Sequence, residues 1–314
     1  MEINGNIINL GENKTLKIRV GKLPSGTSIS IVSHIFRSKN EGKTILLLGG
    51  IHGDEINGME IIRRAIEKQY FDNLQCGTVI AIPVLNIFGF INFNRDLPSG
   101  KDLNRSFPGS EKGSLAARVA RKFTKFFLPY ADIIIDFHTG GDIRYNYPQI
   151  RYSNINDESI HISKIFNAPF IIQKAMIPKS LRKTAVEMGK AAIVYEAGES
   201  KRLDEFSIST GLQGIRNVLQ YFEMIDKQEI ELVNSKFFNK TSWIRARDSG
   251  ILNLLKHAGD DISEKEILAV IKDISNEWSK NVRARRSGSI IGHNNAPVIN
   301  MGDPIYHVAW YDEE

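Results

Sequence analysis

Residues 49–58 (GGIHGDEING) hold the side chains best suited to bind a metal ion. This segment places His52 and Glu55 three positions apart, directly after a short apolar run and before a helical pattern. Imidazole and carboxylate groups both bind zinc, and a site of two histidines and one carboxylate keeps a fourth position open for water. On its own the pair is a weak indication, because Asp54 and Glu55 would also be favourable acidic groups in a first helical turn.

A second motif, residues 136–141 (DFHTGG), follows directly on another apolar run. It puts His138 at the carboxyl end of a predicted strand, where open α/β sheets bind their ligands. Asp136 and His138 share one face of that strand because side chains alternate with a period of two. Asp136 would then orient the metal ligand His138 without contacting the metal itself. Capping of a helix or turn explains this aspartate equally well. Together with His52 and Glu55, His138 would complete a three-ligand zinc site.

Two more motifs carry groups that suit a substrate. Residues 99–109 (SGKDLNRSFPG) form a loop in which Asn104 and Arg105 combine an amide with a planar guanidinium, a pair suited to bidentate binding of a carboxylate. An ordinary surface loop is the alternative. Residues 195–198 (YEAG) place Glu196 at the end of an apolar strand, in position for a catalytic carboxylate. The alternative there is a solvated glutamate at a strand end.

The elements that must position these motifs alternate between strands and helices. Short apolar or alternating runs predict strands, and the spacing of Ile56, Met59, Ile62 and Ile66 predicts a helix with one apolar face. Such alternation is typical of an α/β domain with a mixed, largely parallel sheet flanked by helices. The predicted strands are 28–35, 44–48, 78–83, 131–137 and 191–195, and a second helix is predicted over 114–127.

The last quarter of the chain contains an internal repeat. Residues 244–252 (IRARDSGIL) match residues 282–290 (VRARRSGSI), and residues 267–270 match residues 305–308 at the same offset of 38. The repeated segments are short and turn-rich, which predicts two similar β units that pack together as a small sandwich or barrel.

This change of pattern predicts two domains. Residues 1–233 would form the catalytic domain, residues 240–314 a C-terminal β domain, and residues 234–239 the linker between them.

Composition and charge exclude several other classes. The single cysteine, Cys76, rules out a disulfide framework and a cysteine-rich zinc site. The formal charge of +5, from 41 basic and 36 acidic residues, is a mild excess. Its densest cluster is Arg283, Arg285 and Arg286, which indicates a solvated face rather than a nucleic-acid partner, since no aromatic platform accompanies it.

The N-terminal residues 1–10 do not combine a positive region with an apolar one, so we expect no signal peptide. The longest apolar runs are about five residues, far below the roughly 20 that a membrane span needs. We therefore expect a cytoplasmic protein with no membrane partner.

The four motifs, in this order, resemble the succinylglutamate desuccinylase/aspartoacylase family of the zinc carboxypeptidase-like clan. The resemblance covers about residues 20–225. It implies the zinc-carboxypeptidase-like fold, and it implies that His52, Glu55 and His138 are the zinc ligands. The C-terminal β unit resembles the biotinyl/lipoyl-like domain that follows the catalytic domain in some bacterial members.

The resemblance also implies roles for the other residues. Asn104 and Arg105 match the pair that holds the substrate carboxylate, and Glu196 matches the general base. Arg95 is a candidate for the arginine that stabilises the oxyanion, and Lys101 competes with it because the spacing of that loop varies. The sequence has Glu-Ala-Gly at Glu196 where the family pattern leads us to expect Glu-Leu-Gly, a departure that keeps the carboxylate.

The implied activity is zinc-dependent hydrolysis of the amide bond of a small, anionic N-acyl amino acid. Two alternatives stay open at this point. One is a zinc carboxypeptidase that trims peptide C-termini with the same ligands. The other is a non-enzymatic carrier or binding module, which is disfavoured because residues 273–280 lack the Met-Lys or Asp-Lys pair that such a carrier presents. The sequence also leaves a homo-oligomer open.

Overall fold

The computed structural model describes residues 1–227, 229 and 232–312 of the chain. In this part of the chain, a large mixed sheet of 13 strands is flanked by helices, and a second sheet of four strands lies in the C-terminal region. None of the described helices combines the length and the apolar character that crossing a bilayer requires.

The strands and helices are numbered in chain order. The strands are β1 (Glu2–Ile3), β2 (Asn6–Ile7), β3 (Asn13–Lys22), β4 (Ser28–Arg37), β5 (Thr44–Leu48), β6 (Thr78–Ile82), β7 (Ile133–Gly140), β8 (Arg144–Tyr152), β9 (Phe170–Gln173), β10 (Ala191–Glu199), β11 (Lys236–Phe238), β12 (Lys240–Arg245), β13 (Gly250–Leu254), β14 (Asp261–Ile262), β15 (Ile267–Lys272), β16 (Ser279–Arg283), β17 (Gly288–Asn294), β18 (Val298–Ile299) and β19 (Pro304–Trp310). The helices are α1 (Ile56–Glu67), α2 (Ile87–Ile91), α3 (Leu115–Phe126), α4 (Asp157–Phe166), α5 (Leu181–Glu187) and α6 (Glu205–Tyr221), with short 3₁₀ helices at Leu103–Arg105 and Leu128–Tyr130.

Four parallel strands in the order β10-β7-β5-β6 form the centre of the large sheet. They are buried on both faces, as their continuous apolar sequences predict. In β5, Leu46 and Leu48 pack into the core beneath α3 and α5, whereas Ile45 and Leu47 pack beneath α1, α4 and α6. Each such side chain stabilises the fold by about 1.5–3 kcal/mol through burial.

The prediction of a largely parallel sheet holds for this centre and fails for the sheet as a whole. Strand β4 extends one side antiparallel to β6, and β3 pairs antiparallel with β4 at the edge. On the other side, β8 lies antiparallel to β10. Strand β8 (RYNYPQIRY) mixes aromatic, polar and proline residues, so it lacks the apolar run that marks the central strands. Helices α2, α4, α5 and α6 were not predicted either, whereas the five predicted strands and the two predicted helices all form.

Helix α1 lies unusually close to strand β7. A Cβ atom added to Gly58 of α1 would lie 2.5 Å from the Cβ of Phe137 in β7. Asn57 of the same helix donates to the carbonyl of Ala197 in β10 at 3.5 Å and accepts from the backbone of Asp204 at 2.9 Å. The start of α1 is thus held against the two strands that carry the other candidate site residues.

The C-terminal region contains the same strand pairing twice. One half has the strand order β16-β15-β13-β18. The other half has the order β12-β19-β17-β14. Corresponding strands follow the 38-residue offset of the repeat. All of the described elements of residues 244–308 are strands.

This β unit is joined to the large sheet rather than separated from it. Strand β11, which falls within the predicted linker 234–239, pairs in parallel with β9, and β17 pairs with β8. The division into domains 1–233 and 240–314 stays a prediction. Five residues within those ranges lie outside the described part of the chain: Gln228, Ile230, Glu231, Glu313 and Glu314.

Candidate metal centre and catalytic pocket

His52, Glu55 and His138 converge in the protein interior at the carboxyl ends of β5 and β7. His52 and Glu55 lie in the turn that leads from β5 into α1, where Glu55 is the residue before the first helical position. The Nδ1 atom of His52 is 2.7 Å from one Glu55 oxygen, and the Nδ1 atom of His138 is 2.8 Å from the other. All three side chains are at most 5% exposed, and their ligand atoms lie within 4.8 Å of one another.

Each histidine is oriented by a second carboxylate on its far side. The Nε2 atom of His138 is 2.9 Å from Asp136, and the Nε2 atom of His52 is 3.2 Å from Asp102. Because a carboxylate only accepts, each Nε2 must carry the proton and donate it. Each Nδ1 faces Glu55 and lies 3.3 Å from the other Nδ1, so its proton is the one that a bound metal ion would replace.

Two imidazoles and a carboxylate that meet in a buried space require positive charge, which either protons on the Nδ1 atoms or a metal ion supplies. The donor set of two neutral imidazoles and one carboxylate, backed by Asp102 and Asp136, is the set that zinc prefers in catalytic sites. The cluster therefore fits a zinc ion, with His52, Glu55 and His138 as ligands.

Charges in the cluster shift its pKa values strongly. Burial by itself would lower the pKa of His138, but Asp136 and Glu55 hold that pKa well above its ordinary value. Burial likewise opposes the charged form of Glu55, yet His52 and His138 keep its pKa well below the usual range. Without a metal ion, protons on the imidazoles supply the positive charge that the site needs.

Arg95 lies beside the cluster and contacts two of its carboxylates. Its Nη1 atom donates to Glu55 at 2.9 Å and its Nη2 atom to Asp102 at 3.1 Å. The guanidinium side chain is 39% exposed, so it borders the pocket. Its competitor from the sequence, Lys101, is also among the described residues and lies exposed outside the pocket lining.

Glu196 lies on β10 directly beside His138, because the two residues are register partners in neighbouring parallel strands. Two donors on β8 hold its carboxylate. Arg151 donates to one oxygen at 2.8 Å and Asn146 donates to the other at 2.8 Å. These two bonds fix the orientation of the Glu196 carboxylate at the edge of the cluster.

Asn104 and Arg105 lie in the 3₁₀ helix that Asp102 caps. The Oδ1 atom of Asn104 accepts from the backbone of Leu181 at 2.9 Å, so its amide NH₂ group is the part available to a substrate. Arg105 is exposed, and its Nη1 atom donates to the Asn104 carbonyl at 2.7 Å. Both side chains line the same cavity as the histidine cluster, at its outer side.

The structure brings all seven predicted site residues to one cavity of about 440 Å³. Sequence reasoning missed several other residues of its lining. It also missed Asp102, which orients His52 from outside the lining although it stands in the third motif. The others are scattered over β8, α5 and the C-terminal β unit without a motif; they are Arg144, Asn146, Arg151, Arg182, Trp243 and His307.

The sequence profile of the succinylglutamate desuccinylase/aspartoacylase catalytic domain matches residues 41–222. This span covers more than half of the chain and contains all seven predicted site residues. The chain therefore belongs to the succinylglutamate desuccinylase/aspartoacylase family. Both activities in the family's description are deacylations.

Comparison with individual proteins agrees with this family. The chain is 26% identical over 309 residues to the N-alpha-acetyl-L-2,4-diaminobutyric acid deacetylase of Halomonas elongata, covering 94% of this chain and 90% of that protein. It is similar to the product-bound ectoine utilization protein EutE of Ruegeria pomeroyi, with a TM-score of 0.83, 25% identity and coverage of 95% and 94%. A family member from Rhodobacter sphaeroides shows the same fold, with a TM-score of 0.85, 21% identity and coverage of 99% and 100%.

The raised pKa of His138 predicts that protons and a divalent cation compete for the cluster. In the metal-free protein, the stabilisation from this protonated histidine is fully present below about pH 6.5 and is lost as the pH rises through the raised folded-state value. Zinc added to metal-free protein at pH 7 should therefore displace protons. Calorimetric titration in two buffers of different ionisation enthalpy measures that release. Equal heats in both buffers would show that the imidazoles carry no displaceable proton.

Proposed function

We propose that this protein is a zinc-dependent amidohydrolase that releases the acyl group from a small N-acyl amino acid. It would act on carbon–nitrogen bonds of linear amides other than peptide bonds. The observation that supports this proposal best is the position of Glu196, a carboxylate held by two hydrogen bonds beside a buried His52–Glu55–His138 cluster. A metal site and a general base side by side are the two parts that amide hydrolysis needs.

His52, Glu55 and His138 would hold the metal, with Asp102 and Asp136 keeping both imidazoles in the correct tautomer. A zinc ion in such a site acts as a Lewis acid and lowers the pKa of water to about 7. The remaining chemistry depends on the residues around it.

Glu196 would accept a proton from the attacking water and return it to the leaving amine. Proton transfer of this kind contributes roughly 10²–10⁴-fold to a rate. Arg151 and Asn146 each bond one carboxylate oxygen, so they fix the direction in which Glu196 faces. They act as positioning residues for the base.

Arg95 would stabilise the oxyanion that develops on the amide carbonyl. Its exposed side faces the cavity, while its bonds to Glu55 and Asp102 keep it in place. Arg105 and the amide of Asn104, at the outer side of the cavity, would bind the carboxylate of the amino acid.

The C-terminal β unit favours a small substrate over a peptide. Trp243 and His307 of this unit wall one side of the cavity. A cavity of about 440 Å³ that is bordered by these side chains has room for a small amino-acid derivative. The doubled strand pairing supports a biotinyl/lipoyl-like arrangement for this unit, which serves here as a wall of the pocket.

A panel of N-acetyl, N-succinyl and N-formyl amino acids and short peptides, assayed with zinc, tests the proposal together with Glu196→Gln. We expect hydrolysis of at least one N-acyl amino acid and slower or no hydrolysis of the peptides.

Glu196→Gln keeps the shape of the side chain and cannot accept the proton. It should bind zinc normally and lose roughly 10²-fold or more in kcat. Nearly normal kcat in this variant would assign the base to another residue.

Arg105→Ala tests whether this guanidinium reads a carboxylate. The variant would leave the substrate carboxylate without its partner, a loss of order 2–5 kcal/mol in a partly desolvated site. We expect kcat/KM to fall sharply for the free acid and far less for the matching amide or ester. Arg105→Lys should restore only part of the activity, because an ammonium cannot reproduce the planar fork. Equal losses on the acid and its amide would remove Arg105 from carboxylate recognition.

A further inference from the structure

Strand β17 of the C-terminal β unit pairs directly with strand β8 of the large sheet. Gly292 of β17 is the register partner of Asn146 in β8. Just beyond the two strands, the backbone N–H of Asn295 donates to the carbonyl of Ile143 at 2.9 Å. Strand β8 therefore lies between β17 on one side and β10, the strand that carries Glu196, on the other.

The first contact between β17 and the catalytic pocket runs through Asn146. This residue is 6% exposed, and its Nδ2 atom donates to Glu196 at 2.8 Å. A Cβ atom added to Gly292 would lie 2.8 Å from the Oδ1 atom of Asn146 and 2.9 Å from the carbonyl oxygen of Tyr145. Both distances are too short for a real Cβ atom, so the amide keeps this position because residue 292 has no side chain.

The second contact runs through Gln149, which is completely buried. Its Nε2 atom donates to the carbonyl of Ile291 in β17 at 2.8 Å, and its Oε1 atom accepts from the Nε atom of Arg151 at 3.3 Å. Arg151 in turn donates from Nη1 to Glu196 at 2.8 Å. A buried amide that is bonded at both ends has one favourable orientation, so Gln149 holds the guanidinium in place.

The two contacts end on different oxygens of the same carboxylate. Asn146 bonds one oxygen of Glu196 and Arg151 bonds the other. The Glu196 side chain has several rotatable bonds, so its place on β10 alone does not decide where the carboxylate points. Two donors on separate oxygens select one orientation, and both depend on the adjacent residues Ile291 and Gly292 of β17.

We propose that strand β17 of the C-terminal unit positions the catalytic base. Gly292 acts through Asn146, and Gln149 transmits the position of the Ile291 carbonyl through Arg151. Gly292 and Gln149 are thus positioning residues, each of which holds a donor to Glu196. This inference rests on the proposed function, in which Glu196 is the base, and it gives the C-terminal unit a part in the reaction beyond that of a cavity wall.

Gly292→Ala tests the first contact, because it adds one methyl group against the Asn146 amide. The φ angle of Gly292 is not positive, so alanine introduces no backbone strain of its own and the end of the Asn146 side chain must move. We expect kcat to fall roughly 10- to 100-fold, since a misplacement of about 1 Å can cost about 10²-fold. Steady-state kinetics should show a much smaller change in KM, and calorimetry an unchanged affinity for zinc.

A double-mutant cycle with Asn146→Ala separates positioning from a general structural effect. Because Gly292 acts through the amide, adding Gly292→Ala to Asn146→Ala should cost no further activity. Losses that multiply would show that Gly292 acts independently of Asn146 and would overturn this contact. Ser289→Ala is the control, at a buried residue of the same strand whose hydroxyl donates to Asp261 at 2.6 Å, and it should keep kcat.

Gln149→Met tests the second contact and serves in place of Gly292→Ala should that variant fail to fold. Methionine has a similar length and volume and makes neither hydrogen bond, so Arg151 loses its support. We expect kcat to fall by roughly 10-fold or more, again with a smaller change in KM. Normal kcat in Gln149→Met would overturn this contact.

Glu196→Gln, assayed in parallel, keeps the inference separate from the proposed function. If this variant turns over normally, Glu196 is not the base and the proposed function fails. A crystal structure of Gly292→Ala then decides whether β17 orients the carboxylate. An Asn146 amide displaced out of hydrogen-bond distance of Glu196 would support that role, and an amide still bonded to Glu196 would overturn it.

Discussion

The structure depends on one electrostatic constraint, the burial of the Glu55 carboxylate between two imidazole nitrogens. A carboxylate that is 2% exposed is stable only if positive charge lies against it. His52 and His138 supply that charge as protons, or share it with a metal ion, and Asp102 and Asp136 prevent either ring from turning away. Removing one histidine would leave only the other imidazole and Arg95 to compensate the buried charge of Glu55.

This constraint explains why so many elements meet at one end of the sheet. The turn after β5 brings His52 and Glu55, β7 brings His138, and the loop before the 3₁₀ helix brings Asp102. The close contact between α1 and β7 fixes their spacing. Around the histidine cluster the charge changes sign, because Arg144 and Arg151 of β8 and Arg182 of α5 line the same cavity.

The sequence predicts the parts of this arrangement that depend on local patterns. The apolar runs of 44–48 and 131–137 identify central strands because they are buried on both faces, and the motifs at their ends identify His52, Glu55 and His138. Strand β8 escapes prediction because its side chains serve a polar cavity, so no apolar period marks it. Arg182 and His307 escape for a related reason: only the tertiary fold brings residues so distant in sequence to one wall.

The central claim is that the two Nδ1 atoms and the Glu55 carboxylate bind one zinc ion. A crystal structure of the zinc-loaded protein, with anomalous data on both sides of the zinc absorption edge, tests it most directly. The account predicts one strong anomalous peak, about 2.0–2.1 Å from the Nδ1 atoms of His52 and His138 and about 2.0–2.2 Å from a Glu55 oxygen. A zinc peak at another group of side chains, or coordination of either histidine through Nε2, would contradict it.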